Sequence, residues 1–268
     1  HDFISFRYQT GHVLGSSMSL KKFLVSLAAQ FGAYSPFLFL VAFYGFFRGL
    51  RHPDDGIRLA VLFGGALYAF FLYSSLRQKT LPHWTSVFFL LFIPVGVFFL
   101  LQEATPFKRK FLKVSIGFSL VLTLFLYVEL AGKFFRFPDY KSPFRDIYGY
   151  PAIVKEASDI FHDRNSARKG IAVSNWSIGS RVMYYALPYD LPVFVIDERR
   201  DQFDLWQTVP PDGYDLLFLN THFAKLDLGK KVTCGQVRPV KTVDLTLNGG
   251  KVDTIDYVWC TDFGGFRK

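Results

Sequence analysis

Two long apolar runs, Ile57–Leu76 and Trp84–Leu101, flank a short basic break, Arg77-Gln78-Lys79-Thr80-Leu81-Pro82-His83-Trp84. Each run is long enough to cross about 30 Å of hydrocarbon as a helix. Two such runs this close together predict a pair of membrane spans joined by a tight loop. The loop carries two cations, Arg77 and Lys79, with the titratable His83 and the interfacial Trp84. In a membrane protein these are the groups that receive an anionic headgroup.

The chain has two unlike halves. Before about Gly132 it is dominated by Phe, Leu, Val and Ala; after it, charged residues, Asp-Gly turns and short β-rich runs take over. The expected fold class is therefore membrane α-helical, with four predicted spans, followed by a small extracytoplasmic α/β domain. The expected boundaries are an outer-face loop and interfacial helix over 1–32, a four-span region over 33–132, a linker over 133–150 and a soluble domain over 151–268. No charged-then-apolar leader opens the sequence, which reads as a mature product or, the favoured expectation, a fragment starting in mid-loop.

The formal charge of +9 does not point to nucleic acid. The Lys and Arg residues cluster at the ends of apolar runs, where they meet lipid headgroups. There is no RNA-binding aromatic motif and no continuous basic helix.

Along the chain, His1 to Gly15 is polar, aromatic and turn-rich. Leu20, Phe23, Leu24, Leu27, Ala28 and Phe31 then recur at helical spacing with Lys21 and Lys22 opposite, which predicts an amphipathic helix lying in the interface. The first span is expected over Ala33–Phe47, entered through Ser35-Pro36. The second, Ile57–Leu76, contains Gly64-Gly65 for close helix approach. The third, Trp84–Leu101, is expected to kink at Pro94. The fourth is Phe111–Ala131, with Glu129 expected to pair with Lys133 four residues on.

Loop cations set the orientation. Arg48, Arg51 and Arg58 lie between spans one and two, and Lys108, Arg109, Lys110 and Lys113 between spans three and four; the middle loop holds only Arg77 and Lys79. Seven against two places the outer pair of connections in the cytoplasm. Lys21 and Lys22 reduce that asymmetry without reversing it. The Arg77–Trp84 loop and everything beyond span four then face outside.

In the tail, Ala152–His162 reads as helix. Three apolar runs follow, Ile171–Val173, Val193–Ile196 and Leu216–Leu219, separated by helical stretches at Ile178–Ala186 and Gln202–Gln207. That alternation predicts a small α/β layer with a parallel core. Lys241–Leu247 and Val252–Trp259 around Asn248-Gly249-Gly250 predict a closing hairpin.

Candidate chemistry is sparse. For Arg77, Lys79 and His83 two readings stand: binding of a lipid carrier's phosphate, or anchoring of span ends by snorkelling. Arg7, Gln9 and His12, with His1 and Asp2, form a second polar cluster on the same side, either substrate-binding or solvated. No third ligand joins His1 and Asp2 at metal spacing. Ser174, His162 and Asp197 are the residue types of a hydrolase triad, but Ser174 lies in VSNWS without a glycine-flanked elbow. There is no dinucleotide glycine fingerprint and no P-loop, and which cofactor, if any, is used is unknown from sequence. Cys234 and Cys260 are either a disulfide, which persists outside the cell, or two thiols.

Three segments, HDFISFRYQTGHVLG, AAQFGAYSPFLFL and SLRQKTLPHWTSVFF, carry a resemblance to the C-terminal half of bacterial GT-C membrane glycosyltransferases. These are the enzymes related to protein O-mannosyltransferases and the lipid A aminoarabinose transferase. The resemblance covers about residues 1–132; where the family commonly has Pro-Asn-Trp, His83 replaces the Asn. It implies an inner-membrane enzyme that transfers a sugar from a polyprenyl-phosphate donor to a lipid, glycan or protein acceptor on the non-cytoplasmic face. In that scheme a carboxylate deprotonates the acceptor and cations stabilise the departing phosphate. The family places the carboxylate in a first outer loop that has no counterpart in this sequence, so no catalytic residue is assigned. The rival expectation is a non-enzymatic membrane protein presenting an α/β partner-binding domain.

Overall fold

A computed structural model describes residues 3, 17–103, 105–162, 168–197, 202–207 and 211–267. The chain divides into two compact units, residues 1–127 and 128–268.

The first unit is helical: α1 (Leu20–Ala33), α2 (Pro36–Gly49), α3 (Asp55–Arg77), a 3-10 turn (Pro82–Thr85), α4 (Ser86–Gln102) and α5 (Pro106–Gly132), whose last residues belong to the second unit. Among the described residues, three helices are long and apolar enough to cross a membrane, Asp55–Arg77, Pro82–Gln102 and Pro106–Gly132, or up to four if α1 and α2 form one broken span. The predicted first span is the one that falls short. α2 has 14 residues, about 21 Å at 1.5 Å per residue, against the roughly 30 Å of a hydrocarbon core. It meets α1 at 103°. Ser35 takes a positive φ of 62° at the bend, and Pro36 excludes the helical conformation from the residue before it.

α1 turns much of its apolar stripe outward: Leu20, Leu24 and Phe31 are exposed and Phe23 and Leu27 half-buried. Lys21 and Lys22 are exposed as well, while Ser26 and Gln30 are buried against protein.

Close helix approach occurs elsewhere than expected. A Cβ added at Gly64 meets the Phe92 ring at 2.7 Å, and one at Gly65 meets the Phe46 ring at 2.7 Å. These glycines make room for aromatic rings. Backbone contact belongs to Gly45 and Gly96, where an added Cβ meets Gly96 N at 2.5 Å and the Val41 carbonyl oxygen. α4 continues unbroken through Pro94. Between α2, α3 and α4 lies an aromatic core, with Tyr68 stacked on Phe88 at 4.2 Å and Phe46 edge-on to Phe92 at 5.3 Å.

At one end of this unit Glu103 accepts from Arg48, Lys108 and, at 3.3 Å, the Tyr44 hydroxyl. The connections after α2 and after α4 are therefore tied to one another. Lys108's hydrogen bond, and then Arg48's charge, hold the Glu103 carboxyl below its usual range.

The second unit opens where α5 ends. Glu129 accepts the backbone N–H groups of Phe134 and Phe135 at 3.0 and 3.1 Å. It does not pair with Lys133 as expected, because Lys133 adopts a φ of 50° and turns the chain so that the next two amides point back at the carboxylate. Then come α6 (Tyr150–His162), β1 (Lys169–Val173), α7 (Trp176–Ala186), β2 (Val193–Val195), α8 (Gln202–Trp206), β3 (Asp215–Thr221), α9 (Leu228–Lys231), β4 (Gln236–Leu247) and β5 (Gly250–Thr261). The sheet order is β2-β1-β3-β5-β4. β1 pairs parallel with both β2 and β3, whereas β5 runs antiparallel to β3 and to β4. This is the expected parallel core with the hairpin added at one edge.

The short apolar runs have no polar face because both sides of the sheet are covered. Ile171, Val173, Leu217 and Leu219 pack with α6 and α7 on one side. Ala172, Leu216 and Phe218 pack on the other with Leu226, Leu228 and Val232 around α9. The disulfide Cys234–Cys260 fastens that second layer to β5. The hairpin turns at Asn248 and Gly249, with φ of 51° and 78°, the pair of positive angles a two-residue type I′ turn requires.

Candidate functional site

The Arg77–Trp84 loop joins the two spans that flank it, and its shape is set from beneath by α1. Ser19 N donates to the Leu76 carbonyl at 2.7 Å and Lys22 Nζ to the Arg77 carbonyl at 2.8 Å. Ser26 and Thr80 share a buried hydroxyl–hydroxyl bond of 2.6 Å. Tyr34 Oη donates to the Pro82 carbonyl at 2.8 Å, and the Thr85 hydroxyl to that same oxygen at 2.8 Å. Leaving the last turn of α3, Gln78 Nε2 donates to Ser74 Oγ at 2.9 Å. These contacts satisfy the helix-end carbonyls and hold the loop as a defined platform rather than a tether.

The polar layer below the loop has spare capacity. Gln30 is 2 % exposed, and its Nε2 lies 3.5 Å from Ser26 Oγ. Among the described residues Gln30 Oε1 and Tyr68 Oη are buried without a hydrogen-bond partner. Unpaired buried groups of this kind cost about 1–3 kcal/mol each and are uncommon outside functional or strained regions.

The three sequence-predicted donors lie along this platform. Arg77, half-buried, has its guanidinium 5.5 Å from the centre of the Tyr73 ring. Lys79 and His83 are exposed, and His83 sits in the 3-10 turn edge-on to Trp84 at 6.3 Å. Trp84 in turn faces Phe71 at 6.3 Å. The loop carries an Arg fork, an ammonium and an imidazole, residue types suited to an oxyanion.

The other sequence candidates are not drawn into this site. His1, Asp2, Arg7, Gln9 and His12 lie outside the described residues. His162 and Ser174 stand at opposite ends of β1: Lys169, its first residue, reaches the Phe161 carbonyl at 3.1 Å, and Ser174 follows its last. Five residues of strand separate them by about 16 Å. His162 Nδ1 moreover faces its own helix at the Ser158 carbonyl, 3.0 Å away, so the triad is not assembled. Among the described residues no cluster of His, Cys, Asp and Glu is placed to hold a metal ion.

Sequence reasoning missed the layer that supports the loop: Lys22, Ser26, Gln30 and Tyr34 from α1, and Thr80 and Thr85 from the loop itself. The one available signal was the Ser26–Gln30 spacing, which puts two polar side chains on one face of an otherwise apolar helix. No protein-family model, curated protein or solved structure matches the chain.

Proposed function

We propose that this chain is the C-terminal portion of a bacterial inner-membrane glycosyltransferase of the GT-C type. In this reading it transfers a sugar from a polyprenyl-phosphate-linked donor to an acceptor on the non-cytoplasmic face. Arg77, Lys79 and His83 receive the donor phosphate, and the α/β domain lies outside the cytoplasm. The observation that carries the reading is the braced basic loop: three phosphate-suited donors on a platform held from below by α1 at the end of an apolar helical unit. Simple snorkelling anchors need no such support.

In this mechanism the anomeric carbon–phosphate bond breaks as the acceptor oxygen attacks, and negative charge accumulates on the departing phosphate. Arg77 holds two of its oxygens, with Lys79 beside it as a point charge. Because charge grows toward the transition state, these contacts lower the barrier as well as the donor's dissociation constant. No residue of this chain is assigned as the carboxylate that takes the acceptor proton.

The test is sugar transfer from a polyprenyl-phosphate donor by the full-length protein in liposomes. Arg77→Ala is expected to lower turnover by about tenfold or more, the scale of one lost charge-assisted contact, with Lys79→Ala milder. Wild-type rates from both variants, normally inserted, reject the assignment.

A further inference from the structure

We propose that the α/β domain has a binding cleft of its own, for a ligand of single-sugar size that carries an oxyanion. The sheet order creates the place. From β1 the chain crosses to β2 on one side and later to β3 on the other, so the connections leaving β1 and β3 diverge at their carboxyl ends. Ligands of open α/β sheets bind in that crevice.

A cleft of about 260 Å³ lies there, bordered by Asn175 just after β1, by Thr221 at the end of β3, and by Arg145, Arg181, Tyr150 and Asp253. The volume is below the roughly 300–1,000 Å³ of pockets for larger organic ligands, which limits the occupant to about one ring.

Two arginines line it beside two aspartates, Asp146 and Asp253, and the geometry of the guanidinium groups is what suits an anion. Arg181 projects from α7 and Arg145 from the segment before α6. Asp146 Oδ1 stands 3.5 Å from Arg145 Nε and 3.8 Å from Arg181 Nη1, and Tyr150 Oη is 3.4 Å from Arg181 Nη1. Charge-assisted bonds close to about 2.7–2.9 Å. Among the described residues neither guanidinium makes a bond that short, so both keep donors for an incoming oxyanion. Arg145 is positioned by the Phe223 ring, 4.0 Å beneath it. The first amides of α7 are not the source of selectivity, since Asn175 Oδ1 already accepts from Ser177 N and Ile178 N.

The remaining lining suits a polyol. Asp253 is buried, with Oδ1 accepting from His222 N at 2.9 Å and Thr254 N at 2.7 Å, a fixed carboxyl for a sugar hydroxyl. The partly exposed Phe223 ring offers an apolar face for ring C–H groups. The oxyanion is either a phosphate ester or a carboxylate, and the two sources are distinguished by experiment.

Calorimetric titration of the full-length protein in detergent at low salt uses glucose 1-phosphate, glucuronate, inorganic phosphate and glucose as probes. One of the two anionic sugars is expected to bind more tightly than inorganic phosphate and than glucose, and that preference identifies the source. Arg181→Gln and Arg145→Gln should each weaken it by at least about tenfold, and Lys230→Gln, an exposed lysine of α9 outside both sites, should leave it unchanged. Asp253→Asn should tighten it several-fold by removing a like charge, a gain that misfolding cannot produce. Binding lost in Arg77→Ala but retained in the cleft variants would place the anion at the membrane-flanking loop and overturn the cleft. No binding by wild type, or glucose binding as well as the anionic sugars, also overturns it, whatever the loop variants do to transfer.

Discussion

A few side chains are held under conditions that water would not give them. Asp253 is the clearest in the α/β domain: burial pushes its carboxyl above the ordinary value of 3.8, and the amides of His222 and Thr254 only partly offset that. The folded state therefore holds this proton more tightly than the unfolded chain, so Asp253 favours the fold at low pH. Its contribution is lost as pH rises from about 3.8 through the raised folded-state value. Asp253→Asn keeps an acceptor for both amides and removes the charge. The variant is expected to melt at or above the wild-type temperature at neutral pH and to lack that component of the pH profile. Melting temperature against pH for both proteins checks this; a lower neutral-pH melting temperature in the variant would mean the carboxylate is net stabilising. Asp256 runs the other way, held low by Lys225, so the two acids separate in the same titration.

Among the elements, α2 and α4 depend on their glycines most directly. Gly96→Ala places a methyl against the Val41 carbonyl oxygen, backbone that cannot rotate aside, whereas Gly64→Ala meets side chains, the Phe92 ring edge and Leu91 Cδ1. Overpacking costs about 1–3 kcal/mol or more, and the Gly96 substitution belongs at the upper end. Thermal unfolding in detergent should rank Gly96→Ala well below Gly64→Ala; equal melting would show that the two helices slide apart freely. The same elements show what could be read from sequence. α3, α4 and α5 were legible because a helix apolar all round has one physical interpretation, and β1 to β3 because doubly covered strands leave uninterrupted apolar runs. The burial of Ser26 and Gln30 on α1 was not legible, since a hydrophobic stripe tells which side avoids water but not which polar side chains protein covers. The brace under the loop was not legible either: Ser26 and Thr80 are 54 positions apart, and only the bend at Ser35-Pro36 brings α1 back over the loop. The cleft's Arg145 and Arg181 likewise come from separate elements, and neither sits in a motif.

For the whole molecule, two units of different chemistry carry different kinds of stability. In the second unit the Cys234–Cys260 link closes a separation of 26 residues, worth about 3.5 kcal/mol in the chain-entropy model. Cys260 is fully buried beside Leu216 and Phe218, while Cys234 is half-buried. Replacing both cysteines with Ala should lower the melting temperature of the α/β domain by about 10 °C or more, the scale of such a loss in a domain of 150 residues or fewer. The helical unit's melting should be unaffected. An unshifted α/β transition would show that the layer is held by packing alone.

The 103° bend between α1 and α2 bears on the solvent as much as on the protein. With α2 spanning only about 21 Å and α1 turned across its end with leucines outward, a surrounding bilayer faces a hydrophobic mismatch on that flank. The lipid must thin there, at a cost of fractions of a kcal/mol per ångström. Headgroups would then sink toward the polar layer of Ser26, Gln30 and Thr80; on the proposed function, this would lower a lipid-linked phosphate to the loop. Reconstitution across lipids of increasing chain length should accordingly favour short chains, with the preference reduced when α2 is lengthened by one helical turn.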